Sequence, residues 1–265
     1  MKKIKLIGLG GIGSYLVEPL SRFLSYEEGS AEVMLIDGDS YEEVNRGRQK
    51  FSCLGNKAET AKIDLKNLFP RIHYRAKAEY LTEENVISFI RENDIIFLCV
   101  DNHATRKLVS DRCEELENVV LISGGNDYTD GNVIIYVREN DEEITKSLTS
   151  LYPNSIGNPK DLNPGSQEVV NQEGCVANIE KNPQLIITNN DVASKMLGCY
   201  YIFLEGKLNF NEVYVDILTQ RSRPMPENMG EEISSLIHVI MEAYENNDLE
   251  LVSSLCDSLK KQIAQ

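Results

Sequence analysis

The chain of 265 residues has no tryptophan, only three histidines, and no apolar run longer than a strand. A helical membrane span needs about 20 consecutive apolar residues, and the longest runs here, such as Ile95 to Val100, fall far short. The six cysteines, at 53, 99, 113, 175, 199 and 256, form no CxxC pair and no metal-ligand spacing. That excludes a four-cysteine zinc site and a disulfide scaffold, so reduced thiols are expected. Positive charge is also scarce, with 27 Lys and Arg against 42 Asp and Glu, a net charge of −15. A general nucleic-acid binder needs a basic footprint and is excluded. Two lysines at the amino terminus lead straight into a short strand and a glycine turn, without a signal-peptide hydrophobic region, and a cytoplasmic location is expected.

What is present is an alternation of strand and helix through the first 140 residues. Strands are predicted at 3–8, 32–37, 73–80, 94–100, 119–125 and 132–137. Between them, apolar residues recur at helical spacing: Tyr15, Leu16, Leu20, Phe23 and Leu24; Ala58, Ala61, Ile63, Leu65 and Leu68; Val86, Phe89 and Ile90; Leu108, Val109, Cys113 and Leu116. Strands that are apolar on both sides imply a sheet covered on both faces, so the fold class is α/β with a doubly wound, mostly parallel, Rossmann-like sheet. Pro19 falls inside the first helix, where a kink is expected.

From Glu139 the periodicity collapses into a stretch rich in Pro, Asn, Ser and Asp, and residues 139–175 are expected to form a flexible crossover lid. A helix follows with an apolar face of Val192, Ala193, Met196, Leu197, Tyr200, Tyr201 and Leu204, capped near Asn189, Asn190 or Asp191 and suited to the core or a subunit interface. A strand returns at 211–218. Two amphipathic helices after Pro224 and Pro226 look appended, which divides the chain into a main α/β domain at 1–222 and a helical extension at 223–265.

The chemistry is concentrated near the amino terminus. Gly8, Gly10 and Gly13 satisfy the G-x-G-x-x-G spacing, in which a tight turn lets backbone and a helix start approach a phosphate. Asp37, ending the second strand, is placed for ribose hydroxyls. These four residues alone suit a nicotinamide-dependent oxidoreductase. The segment from Arg46 to Lys57 adds Arg46, Arg48, Lys50 and Lys57 with no acid, a local reversal of the acidic average. A site that expels pyrophosphate needs such fixed cations, because negative charge builds on the leaving group. Asp101, at the tip of the fourth predicted strand, is placed to hold magnesium, or else to cap the next helix.

The stretches "GLGGIGS", "DGDSYEEVNRGRQKF", "LGNKA" and "CVDN" resemble the successive motifs of the ThiF/MoeB/HesA superfamily, relatives of ubiquitin-activating enzymes. The resemblance covers residues 3–137 by motif and 184–218 more loosely. It implies ATP and Mg2+ as cofactors and adenylation of the C-terminal carboxylate of a small ubiquitin-like or sulfur-carrier protein ending in glycine. It further implies nucleotide contacts from Gly8, Gly10, Gly11, Gly13, Asp37, Asp39, Asn45, Arg48, Gln49 and Lys57, with Lys57 at an exposed helix start, and a metal contact from Asp101. Arg48, Lys57 and Asp101 would carry the catalysis. Members commonly pair through the region of the late apolar helix, so a homodimer is expected. Many bacterial members hold zinc with two CxxC pairs, and here no zinc is expected. Many also begin with a helix that supplies an arginine to the partner subunit, and this sequence starts at the first strand.

In the ubiquitin-activating branch a cysteine placed like Cys175, with a proline some residues later as Pro183 is here, takes the carrier from AMP as a thioester. Cys175 is therefore a candidate nucleophile, against the alternative of an unreactive loop thiol. Two other classes stay open at this level. One is the nicotinamide oxidoreductase, which leaves Arg48, Lys57 and Asp101 unused. The other is a catalytically inactive ThiF-like binding module.

Overall fold

The computed structural model describes residues 1–27, 29–160, 184–225, 240 and 251–256. Contacts divide the chain into two units, Met1–Pro224 and Met225–Gln265. In the second unit, residues 251–256 are helical, and the apolar positions Ile233, Leu236, Ile237 and Met241 lie outside the described residues.

In the first unit, β1 (Lys2–Ile7), α1 (Gly11–Tyr26), β2 (Ala31–Ile36), β3 (Ser40–Tyr41), β4 (Gly55–Asn56), α2 (Lys57–Leu68), β5 (His73–Lys77), α3 (Val86–Phe89), β6 (Asp94–Leu98), α4 (His103–Glu114), β7 (Val119–Asn126) and β8 (Asp130–Glu139) follow in order. Then come β9 (Glu142–Glu143), α5 (Leu148–Leu151), α6 (Ile186–Leu204), β10 (Glu212–Asp216) and β11 (Arg221–Met225). The main sheet has the order β11-β10-β8-β7-β6-β1-β2-β5, with β9 paired to β8, and β3 pairs with β4 separately. Pairings from β5 through β2, β1 and β6 to β7 are parallel, while β8 runs antiparallel to both β7 and β10. This is the α/β, mostly parallel, doubly wound architecture expected from the alternating pattern.

The period of two in the strands explains the two layers. Ile4 and Leu6 of β1 with Val33 and Leu35 of β2 face α1, α2 and α6, whereas Ile7, Met34 and Ile36 face α3 and α4. In α1 the buried stripe Ile12, Leu16, Leu20 and Leu24 repeats every fourth residue, and the helix continues through Pro19.

Several local expectations are corrected. In α2 only Ala58, Ala61 and Leu65 of the proposed apolar face are buried; Ile63 is exposed because it lies off the i, i+3, i+7 stripe, and Leu68, the last residue of the helix, is exposed although it continues the stripe. The late helix starts at Ile186 with Leu185 as its cap residue, so Asn189, Asn190 and Asp191 lie within it and do not cap it. The stretch after Glu139 is not irregular throughout: β9 and α5 form, and Leu148 and Ile156 are buried in the core. The remaining lid residues from 161 onward, including Cys175, lie outside the described residues.

Candidate functional site

The chain winds from β1 outward through β2 to β5, then crosses to β6 on the other side of β1, and this reversal opens a crevice at the carboxyl ends of β1 and β6. Registers of Ile7 with Ile36 and with Leu98 bring the ends of β1, β2 and β6 to one level. Gly8, Asp37 and Asp101 therefore emerge around a single crevice.

The glycines have separable roles there. Gly8 adopts φ +87°, and a Cβ on it would stand 2.8 Å from the carbonyl oxygen of Cys99. A Cβ on Gly13 would stand 2.0 Å from the Gly8 carbonyl oxygen. Those two positions let α1 press onto the ends of β1 and β6. At Gly10 a Cβ would meet only Gln49 Nε2, at 3.9 Å, so this glycine borders open space. Gly11 lies under the amide groups of Gln184 and Asn189. The cap residue of α1 is Gly10, with no side-chain cap, which leaves the positive end of the helix turned to the crevice.

Leu9, between the glycines, is fixed on both sides. Its N–H donates to Asp37 Oδ2 at 2.5 Å, and its carbonyl accepts from the Tyr41 hydroxyl at 3.0 Å. The other oxygen of Asp37 accepts from the Asp39 N–H at 2.8 Å. Asp37 is 8% exposed, and burial pushes its carboxyl above the usual range, opposed by the charge of Lys57 and the two N–H donors. Its carboxylate thus ties the glycine turn, at Leu9, to the loop that follows β2, at Asp39.

Lys57 is not at an exposed helix start. It is 7% exposed and pairs with Asp39 Oδ2 at 2.9 Å, while its backbone N–H donates to the Asp39 carbonyl. Asn56 caps α2 by accepting from Glu59 N–H, and its amide donates to the carbonyls of Asp37 and Asp39. The sequence reading missed this depth because β3 and β4, two residues each, fold the Asp39 loop onto the start of α2.

Of the four basic residues in the cationic segment, three are paired. Arg46 binds Glu43, Lys50 binds Glu18, and Lys57 binds Asp39. The half-buried Arg48 guanidinium makes no hydrogen bond or ion pair among the described residues. Asn45 accepts from the Glu42 N–H at 2.9 Å, and its carbonyl takes the N–H groups of Arg48 and Gln49, so it builds the turn that presents Arg48. Gln49 is buried, and its Oε1 has no hydrogen-bond partner among the described residues. Asp101 is exposed, and the cap of α4 is Asn102, through Thr105 N–H, in place of the aspartate.

Two further residues reach the crevice, Arg106, which the sequence did not single out, and Asn189, which it offered only as a helix cap. Arg106, on α4, is buried and donates to Ser123 Oγ at 2.7 Å, the Val100 carbonyl at 2.7 Å and the Gly124 carbonyl at 2.8 Å, joining the tips of β6 and β7 beside the crevice. Asn189, on α6, is fully buried and donates to the Arg48 carbonyl at 3.3 Å, while its Oδ1 has no partner among the described residues. Neither sits in a motif, and only the packing of distant helices brings them here.

Among the described residues no group of three or more His, Cys, Asp or Glu is gathered as a metal cage. Magnesium normally takes one or two carboxylates and completes its shell with substrate phosphates and water, so the lone exposed Asp101 fits that role. The glycine at position 10 facing open space, the uncapped α1 terminus and the Arg48 guanidinium, unpaired among the described residues, fit a polyphosphate. Cys99, Cys113 and Cys199 are buried, and burial raises their thiols, that of Cys99 to about 12. They are unsuited to nucleophilic work. Among the described residues no helix is long and apolar enough to cross a membrane.

Residues 1–252 match the ThiF family. The chain is similar to proteins described as adenylyltransferase and sulfurtransferase MOCS3. That of Drosophila ananassae is 34% identical over 137 residues, 50% of this chain and 29% of that protein. That of Drosophila sechellia is 33% identical over the same length and coverage. This chain thus spans less than a third of the length of these curated relatives. Among solved structures, Escherichia coli MccB with ATP superposes at a TM-score of 0.64 with 20% identity, covering 85% of this chain and 64% of that one. PaaA superposes at 0.61 with 16% identity, covering 86% and 64%. These two likenesses establish the fold.

Proposed function

The chain belongs to the ThiF family, and from that premise we propose that it adenylates the C-terminal carboxylate of a small ubiquitin-like or sulfur-carrier protein ending in glycine, using ATP. In this reading the carrier carboxylate attacks the α-phosphate and pyrophosphate leaves. The carboxylate is already ionised near pH 7, so no general base is required. The uncapped end of α1 and the Arg48 guanidinium receive the phosphates, Lys57 meets the charge that builds on pyrophosphate, and Asp37 keeps the glycine turn in shape with ribose hydroxyls at its rim. Asp101 would hold magnesium, which would supply further charge neutralisation at the phosphates.

The observation that carries the reading is the Arg48 guanidinium, unpaired among the described residues, beside an uncapped helix start, with Lys57 held in the same crevice. A hydride-transfer site has no use for these cations. Exchange of labelled pyrophosphate into ATP, driven by a glycine-ended carrier, tests the proposal; labelled NAD binding in preference to ATP refutes it.

Two further parts complete the reading. Cys175 accepts the carrier from the adenylate as a thioester, the thiolate displacing AMP. A homodimer forms through the outer face of α6, where Tyr201 and Leu204 are exposed. This work belongs in the cytoplasm, where ATP and reduced thiols coexist.

A further inference from the structure

Lys57 is buried by a carboxylate that is itself held by a third side chain. The Tyr80 hydroxyl donates to Asp39 Oδ1, while Asp39 Oδ2 accepts from Lys57 Nζ at 2.9 Å. Tyr80 comes from the loop after β5, and its ring lies against Gly38, where an added Cβ would stand 2.6 Å from ring carbon Cδ2. Gly38 therefore has to be glycine for the ring to reach Asp39. The loop carrying Tyr80 is pinned as well: Asn85 donates to the Tyr80 carbonyl at 2.9 Å and accepts from Thr82 N–H at 2.8 Å. The Tyr80 hydroxyl feels the charges of Asp39, Asp37 and Asp101, so it sits within the field of all three crevice carboxylates.

We propose that Tyr80 is a positioning residue for the nucleotide site, a clamp that orients the Asp39 carboxylate and through it aims Lys57 at the outer phosphates. This rests on the nucleotide reading above. The physical reason is rotational. A carboxylate held at one oxygen by a lysine swings about its side-chain bonds, carrying the long flexible ammonium with it; a second, rigid donor on the other oxygen removes that freedom. Charge-assisted hydrogen bonds of this kind are the strong ones, and a preorganised cation loses less on meeting its ligand.

The test is Tyr80→Phe, which keeps the ring on Gly38 and deletes only the hydroxyl, with Asp39→Asn as the second variant. Two readouts are used on the full chain. The first is the rate at which acetyl N-hydroxysuccinimide acylates Lys57, followed by peptide mass spectrometry without nucleotide. The second is the affinity for ATP and for AMP with magnesium, by calorimetry. Tyr80→Phe should raise Lys57 acylation about tenfold and weaken ATP about tenfold, while AMP, which lacks the outer phosphates, changes less than about twofold. Asp39→Asn should move both in the same direction and further. Unchanged acylation overturns the clamp, and equal losses for ATP and AMP reduce Tyr80 to general support of the fold. If wild type binds neither nucleotide, the nucleotide reading fails while the acylation rates still judge the clamp.

Discussion

Lys57→Met removes the ammonium and keeps most of its apolar stem, so it isolates the charge. At 2.9 Å from Asp39 Oδ2, the pair has a Coulomb attraction of about 6 kcal/mol at an effective dielectric of about 20. Dehydration returns most of that, and a charged hydrogen bond nets about 1.5–3 kcal/mol. Asp39 keeps 30% of its side chain in solvent, which favours the lower half of the range, about 2 kcal/mol near neutral pH. For a unit of this size that is a fall of roughly 4–8 °C in melting temperature. The loss should depend on pH through Asp37. Its carboxyl is raised by burial and lowered by Lys57, so removing Lys57 raises it further. An acid with a folded pKa above its unfolded value, about 3.9, binds more protons when folded, and stability falls as pH rises through that interval. Melts followed by far-UV circular dichroism should therefore show the mutant closer to wild type at about pH 4 than at about pH 7. The same variant should lose about 10²–10³ in pyrophosphate exchange. A melting temperature within about a degree of wild type at both pH values would refute the structural argument, and wild-type exchange would refute the phosphate assignment.

Gly13→Ala forces a Cβ to within 2.0 Å of the Gly8 carbonyl, a backbone atom that cannot swing away, and should cost at least about 1–3 kcal/mol in urea unfolding. Arg106→Met strands the carbonyls of Val100 and Gly124, and a loss of about 3 kcal/mol is expected in the same measurement; a loss below about 1 kcal/mol would contradict the network. Asp101→Asn should raise the magnesium needed for half-maximal exchange without moving the melt, since Asp101 is exposed; an unchanged titration places the metal elsewhere. Cys175→Ala should abolish a thiol-labile covalent adduct with the carrier while exchange persists, and an adduct that survives assigns the step to another group.

By itself the sequence determined the α/β class and the order of the principal strands, because alternating and 3.6-residue apolar periods are local properties of the chain. It also located the glycine turn, whose spacing is a local backbone requirement met within six residues: Gly8 and Gly13 meet each other at the atomic level. Likewise the cationic segment was legible as a run of charge. What the segment does was not, since pairing is decided across the fold. Only tertiary packing shows that Arg46, Lys50 and Lys57 are engaged by Glu43, Glu18 and Asp39, leaving Arg48 unpaired among the described residues. Packing also turned Lys57 from an expected surface residue into a buried one, by folding Asp39 and Tyr80 over it from different strand ends. The places of Arg106 and Asn189 beside the crevice were not legible for the same reason, Asn189 having been read only as a helix cap. Their partners lie up to 141 residues away, and a hydrogen bond across that distance leaves no period, motif or charge pattern along the chain.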